Sequence, residues 1–239
     1  MNRPSTLAFL AALFLTSVVQ ASEPWPEIPS PPKARVEWVG DNMRVNGVPT
    51  RIMEFQSKSS RDEIVEYYRA YWTGAYPKNP SIKPLGEATV ISQWHGPYLM
   101  TVKVEDAGDA TSQGLIAVSR VAGSKASLDA GSLPLMPGAR VISVIESDDP
   151  GKHSREVVVL NPQPPQSVLQ FYQTSYENGG WQPIENNTVS RTAKVPGGSF
   201  LVFAHERTEM QLSTAAGRDG RGSVLVANEV TKDTGPQRY

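Results

Sequence analysis

The sequence predicts an α+β fold: a tandem of two similar ββαβββ modules, each an antiparallel sheet covered on one face by one helix. Three observations lead there. The segment Arg61–Trp72 places Ile64, Tyr67, Tyr68, Tyr71 and Trp72 at i, i+3, i+4, i+7 and i+8, a single apolar stripe on a helix. At an offset of 104 residues, Ile64, Val65, Tyr67 and Tyr68 are answered by Val168, Leu169, Phe171 and Tyr172, and Trp72 by Tyr176. Around each stripe lie short segments of alternating polarity, such as Met100, Val102 and Val104 against Thr101, Lys103 and Glu105, the pattern of a sheet with one buried face.

Residues 1–21 read as an export signal. Arg3 supplies the positive start, Leu7–Val19 is an apolar run of 13, and Val19 and Ala21 put small residues at −3 and −1 of a cleavage point after Ala21. A run of 13 falls short of the roughly 20 residues that cross a bilayer. No later stretch is long and apolar enough, so no transmembrane segment is expected in the mature chain. A formal net charge of −1 with interleaved signs argues against charge-driven binding to nucleic acid or anionic lipid. The absence of cysteine excludes disulfides, thiolate nucleophiles, Cys-bound zinc and iron–sulfur clusters.

Residues 22–34 form a Pro-rich leader that favours extended backbone, with five prolines between Ser22 and Lys33. Module 1 spans residues 35–121. Val36–Val39 suits an edge strand, and Met43–Val45 and Val48–Gln56 flank Asn46-Gly47, the pair that tolerates positive φ in a tight hairpin. Pro49, which donates no N–H, belongs at a strand end or edge. Ser60 and Glu63 fit a capping box, and Gly74 and Pro77 end the helix. Ala88–Trp94 and Tyr98–Glu105 flank a His95-Gly96-Pro97 turn, and Leu115–Val121 closes the module.

Residues 122–138, small and polar, read as a linker. Module 2 spans residues 139–230. Its strands Arg140–Glu146 and Arg155–Leu160 flank the Asp148–His153 turn. Pro164 and Pro165 suit a first helical turn, and Asn178-Gly179-Gly180 a helix end. Thr188–Lys194 and Phe200–Leu212 then flank Pro196-Gly197-Gly198, Val224–Val230 follows, and residues 231–239 read as a flexible tail. Burying a Tyr or Trp ring is worth roughly 2–3 kcal/mol, so each aromatic stripe suffices to centre a small core.

Chemistry is sparse. His95, His153 and His205 stand in no metal-ligand spacing, no serine sits in G-x-S-x-G or S-x-x-K, and the paired carboxylates are sequence neighbours only. No catalytic residue, cofactor or metal is expected. The one candidate binding edge is Trp94, His95 and Tyr98, two aromatics and an imidazole around a strand turn. The sequence therefore points to an exported, non-catalytic interaction or assembly component of the bacterial cell envelope, periplasmic, meeting another envelope protein through a sheet edge. The alternatives are a periplasmic small-molecule binder with its pocket between the modules and a His-dependent hydrolase.

Overall fold

The computed structural model describes residues 24–76, 78–184, 199–217 and 220–233. The expected export signal at 1–21, the expected Pro196-Gly197-Gly198 turn and Thr188–Lys194 strand, and the end of the expected tail lie outside these residues. The expected pair of separate ββαβββ modules is not what forms. Among the described residues, the chain builds one continuous antiparallel sheet of twelve strands with two short helices.

In chain order the elements are β1 (Ala34–Val45), β2 (Val48–Ser57), α1 (Arg61–Ala75), β3 (Ser81–Leu85), β4 (Ala88–His95), β5 (Tyr98–Gly108) and β6 (Thr111–Arg120). There follow β7 (Arg140–Asp149), β8 (Lys152–Asn161), α2 (Pro165–Asn178), β9 (Gln182–Pro183), β10 (Ser199–His205), β11 (Thr208–Ala216) and β12 (Ser223–Lys232). Across the sheet the order is β3-β4-β5-β6-β2-β1-β7-β8-β12-β11-β10-β9. Read outward from the β1–β7 pair, both halves run hairpin, last strand, then three strands back toward the helix.

Two sequence expectations are corrected within the halves. β3 is a strand of low propensity, with Lys83 and Pro84 in its five residues, and it gives the first half four strands after its helix rather than three. The stretch expected as one strand over Phe200–Leu212 breaks at Glu206-Arg207, where Glu206 takes φ 53° without a glycine or asparagine to announce the turn.

The two halves are joined by a short seam. β1 pairs with β7 only through Met43–Ser147, Arg44–Glu146 and Val45–Ile145. Asn46, left-handed at φ 51° in the β1–β2 turn, extends that seam. Its N–H donates to the Val144 carbonyl at 2.7 Å, and its Oδ1 accepts from the Val144 N–H at 2.8 Å. Gly47 must be glycine as well: it sits at φ +78°, and a Cβ there would lie 2.8 Å from the Lys125 carbonyl oxygen.

The ladder register carries Ile116, Met53, Val144 and Val157 to one side of the sheet, so both helices lie on the same face. Under α1 the core gathers Ile64, Tyr68 and Trp72 with Phe55, Ile91, Met100, Val102 and Ile116. Under α2 it gathers Val168, Tyr172 and Tyr176 with Val157, Phe203, Met210, Leu212 and Leu225. The capping box at α1 forms, with the Ser60 N–H bound to Glu63 Oε2 at 2.8 Å, which holds the Glu63 carboxyl below its usual pKa. Gly114 lets β5, β6 and the Phe55 ring close up, since a Cβ there would stand 1.9 Å from the Lys103 carbonyl oxygen.

The leader and the linker both contribute to these cores. Ile28 is buried beneath α1, Tyr68 donates to the Pro29 carbonyl at 2.7 Å, and Ser57 Oγ donates to the Pro32 carbonyl at 2.7 Å. Trp25 lies on Tyr98 with the Arg51 guanidinium 4.7 Å from its ring. In the second half Leu133 takes the corresponding buried place. The two segments match at an offset of 105: Ile28-Pro29 with Leu133-Pro134, and Pro32-Lys33-Ala34-Arg35-Val36 with Pro137-Gly138-Ala139-Arg140-Val141. Lys33 and Gly138 are both left-handed, at φ 52° and 78°.

Candidate functional site

The residues of the candidate binding edge part company. Tyr98 and His95 are paired across the β4–β5 turn and share the helix face, whereas Trp94, one residue along, projects to the opposite face. Tyr98 is buried against Trp25 and closes the core. His95 packs edge-on to Tyr76 at 5.5 Å, and Trp94 is exposed. They form no single surface.

The other histidines are equally dispersed. His153 binds Asp148 at 2.5 Å across the β7–β8 hairpin tip. His205 lies 5.5 Å from the Trp181 ring, at the end of β10, a place that matches His95 at the end of β4. Among the described residues no group of three His, Asp or Glu side chains is placed to share an ion, and no helix is long and apolar enough to cross a membrane.

Among the described residues, three grooves are each lined from one half of the chain. The largest of these three, about 750 Å³, runs between Arg61 at the start of α1 and Leu85–Glu87, with Lys103, Glu105 and Asp106 opposite. Four of its charged side chains pair with one another: Arg61 with Asp106 at 3.0 Å, and Lys103 with Glu105 at 2.5 Å. A second of about 250 Å³ adjoins it at Lys103 and Glu105, and a third of about 430 Å³ lies along Ser167–Asn178 of α2.

The strand edges separate into closed and open ones. β3 and β4 meet in a two-residue hairpin whose closing pair is Leu85–Ala88. In such a hairpin the closing pair is hydrogen-bonded, and alternate residues then face outward. Ile82 and Pro84 are therefore the outward residues of β3, and Pro84 has no N–H to offer. At the far end the Ile184 N–H donates to Val202 at 2.9 Å, which turns Pro183 outward on β9. Each end of the sheet thus carries a proline where a partner strand would need a donor.

The open row lies in the middle. β1 has twelve residues, of which only Met43–Val45 meet β7. Measured along β2, which pairs Met43 with Thr50 and Gly40 with Ile52, the end of β7 at Asp149 comes level with Gly40. Among the described residues, 34–42 have no ladder partner on that side. The row contains no proline and presents Trp38, 60% exposed, and Val39. It is regular over Ala34–Trp38 and bulged beyond, between Trp38 and Gly40. The equivalent row on β7, residues 140–143, carries its own bulge between Val141 and Ser143 and is flanked by residues 125–127, where the Ser127 N–H bonds Asn46.

Sequence reasoning placed the binding edge at an outer turn because it read aromatics at a loop. The free row of β1 follows from a pairing between residues 100–104 apart, which no local pattern records. Comparison with known proteins found no matching family model, no matching curated protein and no matching solved structure.

Proposed function

We propose that this is an exported, non-catalytic component of the bacterial cell envelope that works by assembly, accepting an extended strand at the free row of β1. The observation that carries this reading is the contrast between edges. The outer strands each turn a proline outward, whereas β1 leaves a proline-free row of main-chain groups beside an exposed tryptophan. Unpaired main-chain rows supply affinity in strand addition, and flanking side chains supply selectivity. Export rests on the N-terminal signal pattern, and the non-catalytic reading on the dispersal of the histidines.

In-cell photo-crosslinking tests it, with benzoylphenylalanine at Val39 in one strain and at Lys83 on β3 in another. Adducts at Val39 and few at Lys83 are expected, from a protein whose mature chain begins at Ser22. Equal labelling at both positions, or none at Val39, would overturn the strand-acceptor reading. Changing His95, His153 and His205 together to Gln should leave complementation of a deletion intact. Loss of complementation by a folded triple variant would point to catalysis instead.

A further inference from the structure

The free row of β1 matches itself. We infer that its occupant is a second copy of this chain, the two β1 strands pairing antiparallel across a twofold axis at Val36 and so joining two sheets edge to edge. This rests on the reading of β1 as a strand acceptor and adds the identity of what it accepts.

A row of main-chain donors and acceptors is complementary to its own copy run antiparallel, so self-pairing makes no further demand on the backbone. The side chains decide whether it is favoured. With Val36 on the axis, Arg35 of each copy stands opposite Glu37 of the other, and Ala34 opposite Trp38. The β1–β2 register puts Arg35 and Glu37 on one face of the sheet and Ala34, Val36 and Trp38 on the other, so each pair meets on a common face. In the single chain Arg35 and Glu37 already pair with each other, with both side chains largely exposed. Pairing of two copies would exchange these two contacts, one within each copy, for two across the axis. Ala34 is small enough to lie under the neighbouring Trp38 ring.

The stretch that matches, residues 34–38, is the regular part of the strand. Lys33, left-handed at φ 52°, turns the preceding chain out of the strand where the pairing ends. Measured along the regular β2 ladder, the end of β7 at Asp149 comes level with Ile52 and Gly40, so that strand stops short of Trp38. The corresponding residues of β7 lack this match: Arg140 would face Ile142, at a bulge. Residues 34–38 are therefore the regular, self-matching run at the seam.

Sedimentation velocity on the purified mature protein, up to about 100 μM, reads the outcome. A dimer is expected. Arg35→Glu and Glu37→Arg should each weaken it by about tenfold or more by placing like charges opposite one another, and the double exchange should restore it. Both positions are exposed, so denaturation midpoints of the variants should stay near that of the wild type. A dimer indifferent to both single exchanges would place the interface elsewhere and overturn the inference. A monomer throughout, with Val39 crosslinking to a different protein, would overturn self-pairing and leave the strand-acceptor reading standing. A monomer with no adduct at Val39 would remove both.

Discussion

Replacing Asn46 tests whether one side chain fastens the two halves of the sheet. Asn46 does two separable things: it holds a left-handed backbone at φ 51°, and its Oδ1 accepts the Val144 N–H at 2.8 Å. Alanine loses both. The Val144 N–H, partly buried, would be left without its acceptor at a cost of about 1–3 kcal/mol, and alanine lacks the short polar side chain that lets asparagine tolerate the left-handed region, which costs about 1–2 kcal/mol more. Asn46→Ala should therefore destabilise by about 2–5 kcal/mol. In a chain of this size each kcal/mol lowers Tm by about 2–4 °C. Asn46→Gly keeps the backbone and loses only the acceptor, so it should cost less than alanine. Asn46→Asp keeps both features and should stay within about 1 kcal/mol of the wild type. Urea unfolding followed by tryptophan fluorescence measures all three. If Asp were as damaging as Ala, or if Ala changed nothing, the acceptor role would be wrong.

Tyr68→Phe should lower stability by about 1 kcal/mol, since its hydroxyl donates to Pro29 at 2.7 Å. Tyr172→Phe should be neutral or stabilising in the same denaturation assay, because its buried hydroxyl has no partner among the described residues. Gly114→Ala should cost more than about 3 kcal/mol, or prevent folding altogether, given a Cβ 1.9 Å from a carbonyl oxygen; a midpoint close to wild type would show that β5 and β6 spread without penalty. Burial pushes the phenols of Tyr68, Tyr172 and Tyr176 up, Tyr172 to about 12. The unfolded chain then loses these protons first, near pH 10, so their contribution is complete below pH 10 and falls as pH rises. The slope should be about 1.4 kcal/mol per pH unit per tyrosine between pH 10 and 12. Tyr172→Phe should remove one tyrosine's share of that slope in alkaline unfolding curves.

Local structure was largely legible. The Ser60–Glu63 box, the stripe of Ile64, Tyr68 and Trp72 and the Asn46-Gly47 turn each write their geometry into adjacent residues, and each forms. β3 was not legible, because Ser81–Leu85 holds a lysine and a proline and derives its strand state from pairing with β4. The Glu206-Arg207 turn was hidden for want of a turn residue. Ile28 and Leu133 read as members of spacers, since one buried aliphatic among prolines or serines has no periodicity. The 105-residue match around them was the available signal. The fold class itself was misread at the seam: β1 looked like a terminal strand, and its bond to β7 depends on residues remote in sequence. For Tyr98 and Trp94 the sequence showed two aromatics near a turn but not that the pleat sends them to opposite faces.

The seam also orders events in time. Apart from the β1–β7 pair, every strand of the first half finds its neighbours between residues 34 and 120, and every strand of the second between 140 and 232, so strand pairing within each half needs only its own stretch of chain. Closing β1 onto β7 joins residues 43–46 to 144–147, the most distant contacts in the sheet. Loop-closure entropy places such contacts late. A chain emerging N-terminus first completes its first half while β1 is still bare along its whole inner row, and only the arrival of β7 covers Met43–Val45. During that interval the nascent protein exposes more of the β1 main-chain row than the finished one does. A neighbouring chain caught at that stage competes directly with the protein's own second half for residues 43–45.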